Sequence, residues 1–217
     1  MAEILRYAED VLEEYGYDQA AVGEVARRAG VVEGTVYHYF ETKRDLYISV
    51  AEMWYKRVLD ANRPELSHTS LYKRLREMVR AELVIIRESP AVVRFILMEL
   101  RPDPAFREMN IFAMNRKLTA SLTRVLKDGI ARGELVDHIP LRTVRDMIFG
   151  GIEHQTWAFL RDEGDFSVED AADAISYVIY NGLKRRPPPA NEHTPSLNER
   201  VETLERIVGS LKSSDNA

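Results

Sequence analysis

Apolar residues recur at three- and four-residue intervals along nearly the whole chain, the spacing that lines one face of an α-helix. Ile4, Leu5, Ala8, Val11, Leu12 and Tyr15 predict a first helix, with Gly16 as its stop. Val22, Val25, Ala26 and Ala29 mark a short second helix that ends at Gly30. A third short helix holds Glu33–Tyr39. The fourth opens at Thr42 with Asp45 three residues on, a capping-box-like start. Its apolar face is Leu46, Val50, Met53 or Trp54, and Val58, and Pro64 lies in the break that follows.

The same period continues through Leu71, Leu75, Met78, Val79 and Ile86. Ser89 and Pro90 read as the N-cap and first residue of another helix that runs through Leu100, and Pro102 and Pro104 break it. A long helix is expected over residues 106–131, stopping at Gly133. Pro140 starts a strongly apolar one with Val144, Met147, Ile148, Ile152, Trp157 and Phe159, in which Gly150 and Gly151 permit close helix approach. Ser167 and Asp170 form a second capping-box-like start, ahead of Ala171, Ile175, Ile179 and Leu183. No segment alternates with period two, so the fold class is all-α.

Pro187, Pro188 and Pro189 predict a stiff linker over residues 187–195. Beyond it Ser196 and Glu199 make a third capping box, and Leu197, Val201, Leu204, Val208 and Leu211 form one apolar stripe. An amphipathic helix over 196–212 follows. Its partner is the same helix of a twin subunit, a groove on its own chain or another protein, with the twin favoured because a dimer holds both copies close.

Composition changes this picture little. Charged residues are 30% and hydrophobic residues 45% of the 217, ordinary for a soluble globular protein. The absence of cysteine rules out disulfide and thiolate chemistry and fits a reducing cytoplasm. The first ten residues have no basic start and no apolar run, so no signal peptide is read there. No stretch approaches the roughly 20 apolar residues that span a bilayer, so no membrane is expected. The histidines His68, His138, His154 and His193 lack the helical spacing of a metal site, and no phosphate-cradling glycine loop or nucleophile motif is present. We therefore expect no metal, no cofactor and no enzyme.

The informative stretch is 16–46. Two short helices meet at Ala29, Gly30 and Val31, and a longer helix follows Phe40. A helix that enters the major groove must be short and carry small or hydrogen-bonding residues at its N-terminal end. Gly34 lets the backbone approach DNA, and the Thr35 methyl can pack on a thymine methyl. Tyr37, His38 and Tyr39 offer polar tips for phosphates and base edges, while Val36 and Phe40 are spaced to face inward. Lys43, in the first turn of the next helix, suits a phosphate.

In order and spacing, Ala29-Gly30-Val31, then Gly34-Thr35-Val36-Tyr37-His38-Tyr39-Phe40, then Lys43 and Leu46, resemble the signature of the TetR family of transcriptional regulators. Tyr15-Gly16-Tyr17 and Val25-Ala26 match as well. The resemblance implies a three-helix helix-turn-helix DNA-binding domain, residues 1–46. A helical ligand-binding and dimerisation domain, residues 47–186, would follow it. It places the DNA contacts on Gly34, Thr35, Tyr37, His38, Tyr39 and Lys43. It also implies a homodimer built on the last two core helices, a palindromic operator, and a repressor released by a small molecule.

The chain departs from the family where Ala20 and Ala21 replace the usual Thr, Val32 replaces Ser, and Glu33 stands where a basic residue is frequent. Residues 1–50 carry five basic residues (Arg6, Arg27, Arg28, Lys43, Arg44) against ten acidic ones, so few phosphate contacts are expected. The acids of the first helix, Glu9, Asp10, Glu13 and Glu14, would then face away from DNA. An alternative reading is a helical regulatory protein with weak or lost DNA binding that works through protein contacts.

In the second domain, 95–102 sets Met98, Glu99 and Arg101 at the end of an apolar helix, and 148–157 sets His154 among Phe149 and Trp157. Both stretches are similar to those of TetR-type regulators of fatty-acid degradation that answer to fatty acyl-CoA. The resemblance makes Met98, Glu99, Arg101, Phe149, His154 and Trp157 candidate ligand residues. The alternative is an ion pair from Glu99 to Arg101 or a neighbouring helix, with Trp157 and Phe159 as plain core.

Overall fold

The computed structural model describes residues 1–61, 70–185, 198 and 200–202. Among them the chain forms nine α-helices and no strand; Leu135 and Lys184 make one isolated antiparallel bridge. Residues 1–184 form one compact unit and 185–217 a second. The expected linker and most of the 196–212 helix lie outside the described residues, as do Pro64 and His68. Residues 198 and 200–202 are helical and exposed.

The head is built from α1 (Ala2–Gln19), α2 (Val22–Arg28), α3 (Glu33–Tyr39) and the start of α4 (Lys43–Asp60). α1 breaks at Gly16, whose φ of 69° and ψ of 165° suit glycine alone, so the expected stop is a kink followed by one further turn. Gly30, at φ 66°, makes the tight turn between α2 and α3. The Thr42 hydroxyl accepts the Asp45 amide while the Asp45 carboxylate accepts the Thr42 amide, the full capping box. Ile4, Ala8, Val11 and Leu12 of α1 meet Val25, Val36, Leu46 and Val50 in the head core, all buried.

The larger part holds α5 (Leu71–Glu88), α6 (Pro90–Phe95), α7 (Asn110–Ala131), α8 (Leu141–Leu160) and α9 (Val168–Leu183). α5 packs along α9, and α4 along α7. Ser167 caps α9 by accepting the Asp170 amide, 3.2 Å away, as its sequence implies. Four further expectations need correction. Ser89 precedes α6 without a side-chain cap bond. The Glu13 carboxylate of α1 instead accepts the amides of Ala91 and Val92, at 3.1 and 3.4 Å. The helix after Pro90 reaches Leu100 only by changing to a π turn at Ile96–Leu100. And α7 begins at Asn110, because Asp103 and Pro104 start a 3-10 turn, Pro104–Glu108, that buries Phe106 before the long helix opens. Gly150 and Gly151 support no close approach within the chain either: a Cβ at Gly150 would meet nothing within 4 Å, and one at Gly151 only Ile175 at 3.8 Å.

Candidate nucleic-acid interface and effector cavity

A seven-residue helix such as α3 is too short to be stable alone, so its packing must hold it. Val36 and Phe40 do this; they are buried in the head core, and each such side chain is worth roughly 1.5–3 kcal/mol. The Thr35 amide donates to the Val32 carbonyl, 2.9 Å, closing the first turn. With one face anchored, the other is presented outward. Gly34, Tyr37, His38 and Tyr39 are exposed and Thr35 is half-buried. The His38 and Tyr39 rings meet edge to face, 5.4 Å between centroids.

Lys43 is half-buried at the start of α4. Its ammonium donates to the Asp18 carbonyl at 3.0 Å and lies 4.8 Å from the centre of the Tyr17 ring. The other four cations of the head are engaged too. Arg6 faces Asp10, Arg27 binds Glu24, Arg28 joins Glu24 and Glu14, and Arg44 reaches Asp103. Hydrogen bonds from Arg27 and Arg28 hold the Glu24 carboxyl down to about 2. The acids of α1 have their own partners: Glu9 pairs with Arg57, Asp10 with Arg6, Glu14 with Arg28, and Glu13 caps α6. Every lysine and arginine of residues 1–50 therefore has a partner within the chain.

A cavity of about 710 Å³ lies in the larger part, lined from α4, α5, α6, α7, α8 and the turns after α6. Its apolar lining includes Trp54, Ile86, Val93, Phe106, Phe112 and Phe149. Tyr55 also lines it, and burial pushes its hydroxyl well above the usual phenol range. The polar lining is mostly cationic: Arg101, Arg107, Arg116, Arg142 and Arg145 against Glu82, Asp146 and Glu153. Arg145 and, more loosely, Arg142 pair with Asp146, and Arg101 pairs with Glu153 at 2.5 Å. Arg107 and Arg116 have no ion pair among the described residues.

Of the six candidate ligand residues, Arg101 and Phe149 line this cavity. Met98, Glu99, His154 and Trp157 are not among its lining. Met98 and Glu99 are half-buried on the π turn, and the Glu99 carbonyl accepts from Arg44 at 3.3 Å. His154 is exposed on the outer face of α8, and the Arg161 guanidinium lies 5.3 Å from the Trp157 ring centre. Sequence reasoning passed over Arg116, Arg142 and Arg145. The signal was present, because Arg145, Phe149 and Ile152 stand at i, i+4 and i+7 on one face of α8. Among the described residues no group of three or more His, Cys, Asp or Glu is placed to hold a metal ion, and no helix is long and apolar enough to cross a membrane.

Comparison with known proteins agrees with this architecture at both ends. Residues 4–50 match the family model described as bacterial regulatory proteins, tetR family. Residues 68–183 match that described as tetracyclin repressor-like, C-terminal domain. The chain is 22% identical over 185 residues to the fatty acid metabolism regulator protein of Bacillus subtilis, covering 85% of this chain and 95% of that one. It is 23% identical over 197 residues to the HTH-type transcriptional regulator RutR of Escherichia coli K12, covering 84% and 90%. Its fold is similar to that of FadR from Bacillus subtilis in complex with stearoyl-CoA, with a TM-score of 0.69 at 22% identity over 83% of this chain and 98% of that one. The fatty acid degradation regulator FadR from Bacillus halodurans gives 0.68 at 24%, over 84% and 98%.

Proposed function

Because the chain belongs to the TetR family of bacterial regulatory proteins, we propose that this transcriptional regulator is a cytoplasmic repressor. It binds a palindromic operator as a homodimer and lets go when an acyl-CoA-type effector fills its cavity. The observation that carries the effector class is the lining of that cavity. Aromatic and aliphatic side chains suit an acyl chain, and five arginines, two of them without an ion pair among the described residues, suit phosphates or a carboxylate.

The homodimer reading rests on exposed apolar faces. Met147, Gly150, His154 and Ala158 follow one another at i, i+3, i+7 and i+11 along the outside of α8, and Tyr177 and Val178 stand out from α9. Two such helices from each of two copies make a four-helix bundle. Its two-fold axis would set two α3 helices on two half-sites, read by Thr35, Tyr37 and His38 with Gly34 allowing close approach. Effector would bind more tightly to the arrangement whose α3 helices are wrongly spaced, and so drain the DNA-bound population.

The experiment is a gel shift on the DNA flanking the protein's own gene, with and without palmitoyl-CoA, alongside melting curves. Retardation that palmitoyl-CoA reverses supports the reading; retardation that no acyl-CoA of any chain length alters removes this effector class. A second reading, weak DNA binding, is favoured by one observation: all five cations of residues 1–50 have partners within the chain. A salt titration separates the two, since a protein neutralising few phosphates shows a shallow slope.

A further inference from the structure

Residues 90–103 touch three things at once. At their start, the Ala91 and Val92 amides donate to Glu13 of α1. At their end, the Asp103 carboxylate holds the Arg44 guanidinium at 2.7 Å, and Arg44 also reaches the Glu99 carbonyl at 3.3 Å. Arg44 is the second residue of α4, the helix that follows α3 directly. Between these anchors, Val93, Ile96, Leu97 and Arg101 line the cavity.

The chemistry of the segment favours transmission at its C-terminal end. Ile96–Leu100 is a π turn, in which the Arg101 amide donates to the Ile96 carbonyl at 2.9 Å. π turns are rare, and their bonds span five residues where the α-helix spans four, so the two patterns differ by a single residue. Pro102 and Pro104, with their fixed φ, flank Asp103, so little slack separates Arg101 from Asp103. Arg101 itself is bound to Glu153 of α8, 52 residues away, at 2.5 Å, with both side chains partly exposed. Glu153 lines the cavity as well, so the ion pair stands on its wall.

We propose that Arg101 reports occupancy of the cavity to the head by exchanging Glu153 for the acidic group of the ligand. The inference rests on the reading that the cavity takes an acidic amphiphile. On entry, the ligand anion takes the guanidinium from Glu153 and draws Arg101 with it. The π turn shifts, and through Pro102 the Asp103 carboxylate moves relative to Arg44 and the start of α4. Arg101 is thus both a recognition residue for the anion and the positioning residue for the Arg44–Asp103 contact. Arg107 and Arg116, without ion pairs among the described residues, contribute charge but no such exchange.

The exchange has a signature that a merely structural ion pair lacks. If Glu153 competes with the ligand, Glu153→Gln tightens binding of palmitoyl-CoA roughly two- to fivefold, the range of a partly exposed pair. Arg101→Gln weakens it by about tenfold or more, Arg101→Lys recovers part of that, and Glu153→Gln has no further effect in the Arg101→Gln background. Hexadecanol, which carries no anion, should bind wild type and Glu153→Gln alike. The head is read separately, by hydrogen exchange of the full chain. Saturating palmitoyl-CoA should change protection at 43–50 in wild type and leave it unchanged in Asp103→Asn and Arg101→Gln. Binding that Glu153→Gln weakens or leaves unchanged, or a change at 43–50 that persists in Arg101→Gln, overturns the exchange and leaves the effector reading standing. If wild type binds neither palmitoyl-CoA nor palmitate, the effector reading falls and takes the exchange with it.

Discussion

Glu13 of α1 accepts the amide of Ala91 at the first turn of α6, 3.1 Å away and 78 residues on in the chain. The first amides of a helix lack partners within it, and a carboxylate there also meets the positive end of the helix dipole. A glutamate of the head thus does the work that the adjacent Ser89 leaves undone.

The bond predicts a pH effect of defined sign. Burial of the carboxyl against α6 raises Glu13 above its ordinary 4.5, outweighing the two amide bonds that lower it. A carboxyl raised on folding binds its proton more tightly in the folded state. Its contribution is therefore fully present below about 4.5 and is lost as pH rises through the raised value. Other carboxylates of the chain titrate in the opposite sense, so the quantity to measure is the difference between wild type and Glu13→Gln. Denaturation curves should show wild type losing ground to the variant as pH climbs from 4.5 towards 7. A difference that is flat, or that runs the other way, disposes of this account. Glu13→Ala should cost about 0.5–2 kcal/mol, the range for a lost cap.

Lys43 gives the test of the DNA-binding face. Its ammonium rests on the Asp18 carbonyl and the Tyr17 ring, both weak neutral partners that a phosphate can outbid. Lys43→Ala should weaken operator binding evenly across sequences and lower the salt slope by about one. Thr35→Ala should instead cost about 1–3 kcal/mol and relax preference at one base position. Folded Lys43→Ala and Tyr37→Ala proteins that bind operator like wild type would show that α3 and the start of α4 do not face DNA.

The cavity is testable by filling it. Leu97 lies on its wall, and about 710 Å³ leaves room for an indole without displacing packed neighbours. The overpacking penalty of about 1–3 kcal/mol should therefore be absent from Leu97→Trp, and its melting temperature should stay near wild type. Affinity for palmitoyl-CoA should fall by about tenfold or more, equivalent to 1.4 kcal/mol. Calorimetry that finds wild-type affinity in a folded variant would locate the ligand elsewhere.

What could be read in the sequence was local. Gly30 marked a turn and Thr42 with Asp45 a helix start, because each works within three or four residues of itself; Gly16 was legible as a break, though the helix resumes for one turn beyond it. Val36 and Phe40 were placed inward by spacing alone, which left Tyr37, His38 and Tyr39 outside. Long-range partners were hidden. Ser89 looked like a cap because the carboxylate that does the capping comes from another helix. The pairing of Arg101 with Glu153, and of Arg44 with Asp103, depends on how helices cross, which periodicity does not encode. Phe106 was read as the start of the long helix, yet Pro104 committed it to a separate turn. His154 and Trp157 shared a helix with Phe149 but not its face towards the cavity.

The outer faces of α8 and α9 lead to the last prediction. Val178 is 65% and Met147 59% exposed, unusual for large apolar side chains in the middle of long helices, and Gly150, three residues on from Met147, leaves room for a close neighbour. If a second copy covers this face, Val178→Glu buries a carboxylate of each copy in the interface, where each must be desolvated without a partner. Glu is at least as good a helix former as Val, so the exposed position tolerates it in the monomer. The dimer should then weaken by at least about 100-fold, given roughly 3 kcal/mol or more for an uncompensated buried charge. Operator binding should fall with it, since a lone head reads one half-site and loses the effective concentration that its twin supplies. Sedimentation equilibrium at micromolar protein should find monomers, with helical content unchanged by circular dichroism. A variant that stays dimeric at those concentrations would rule this face out as the interface.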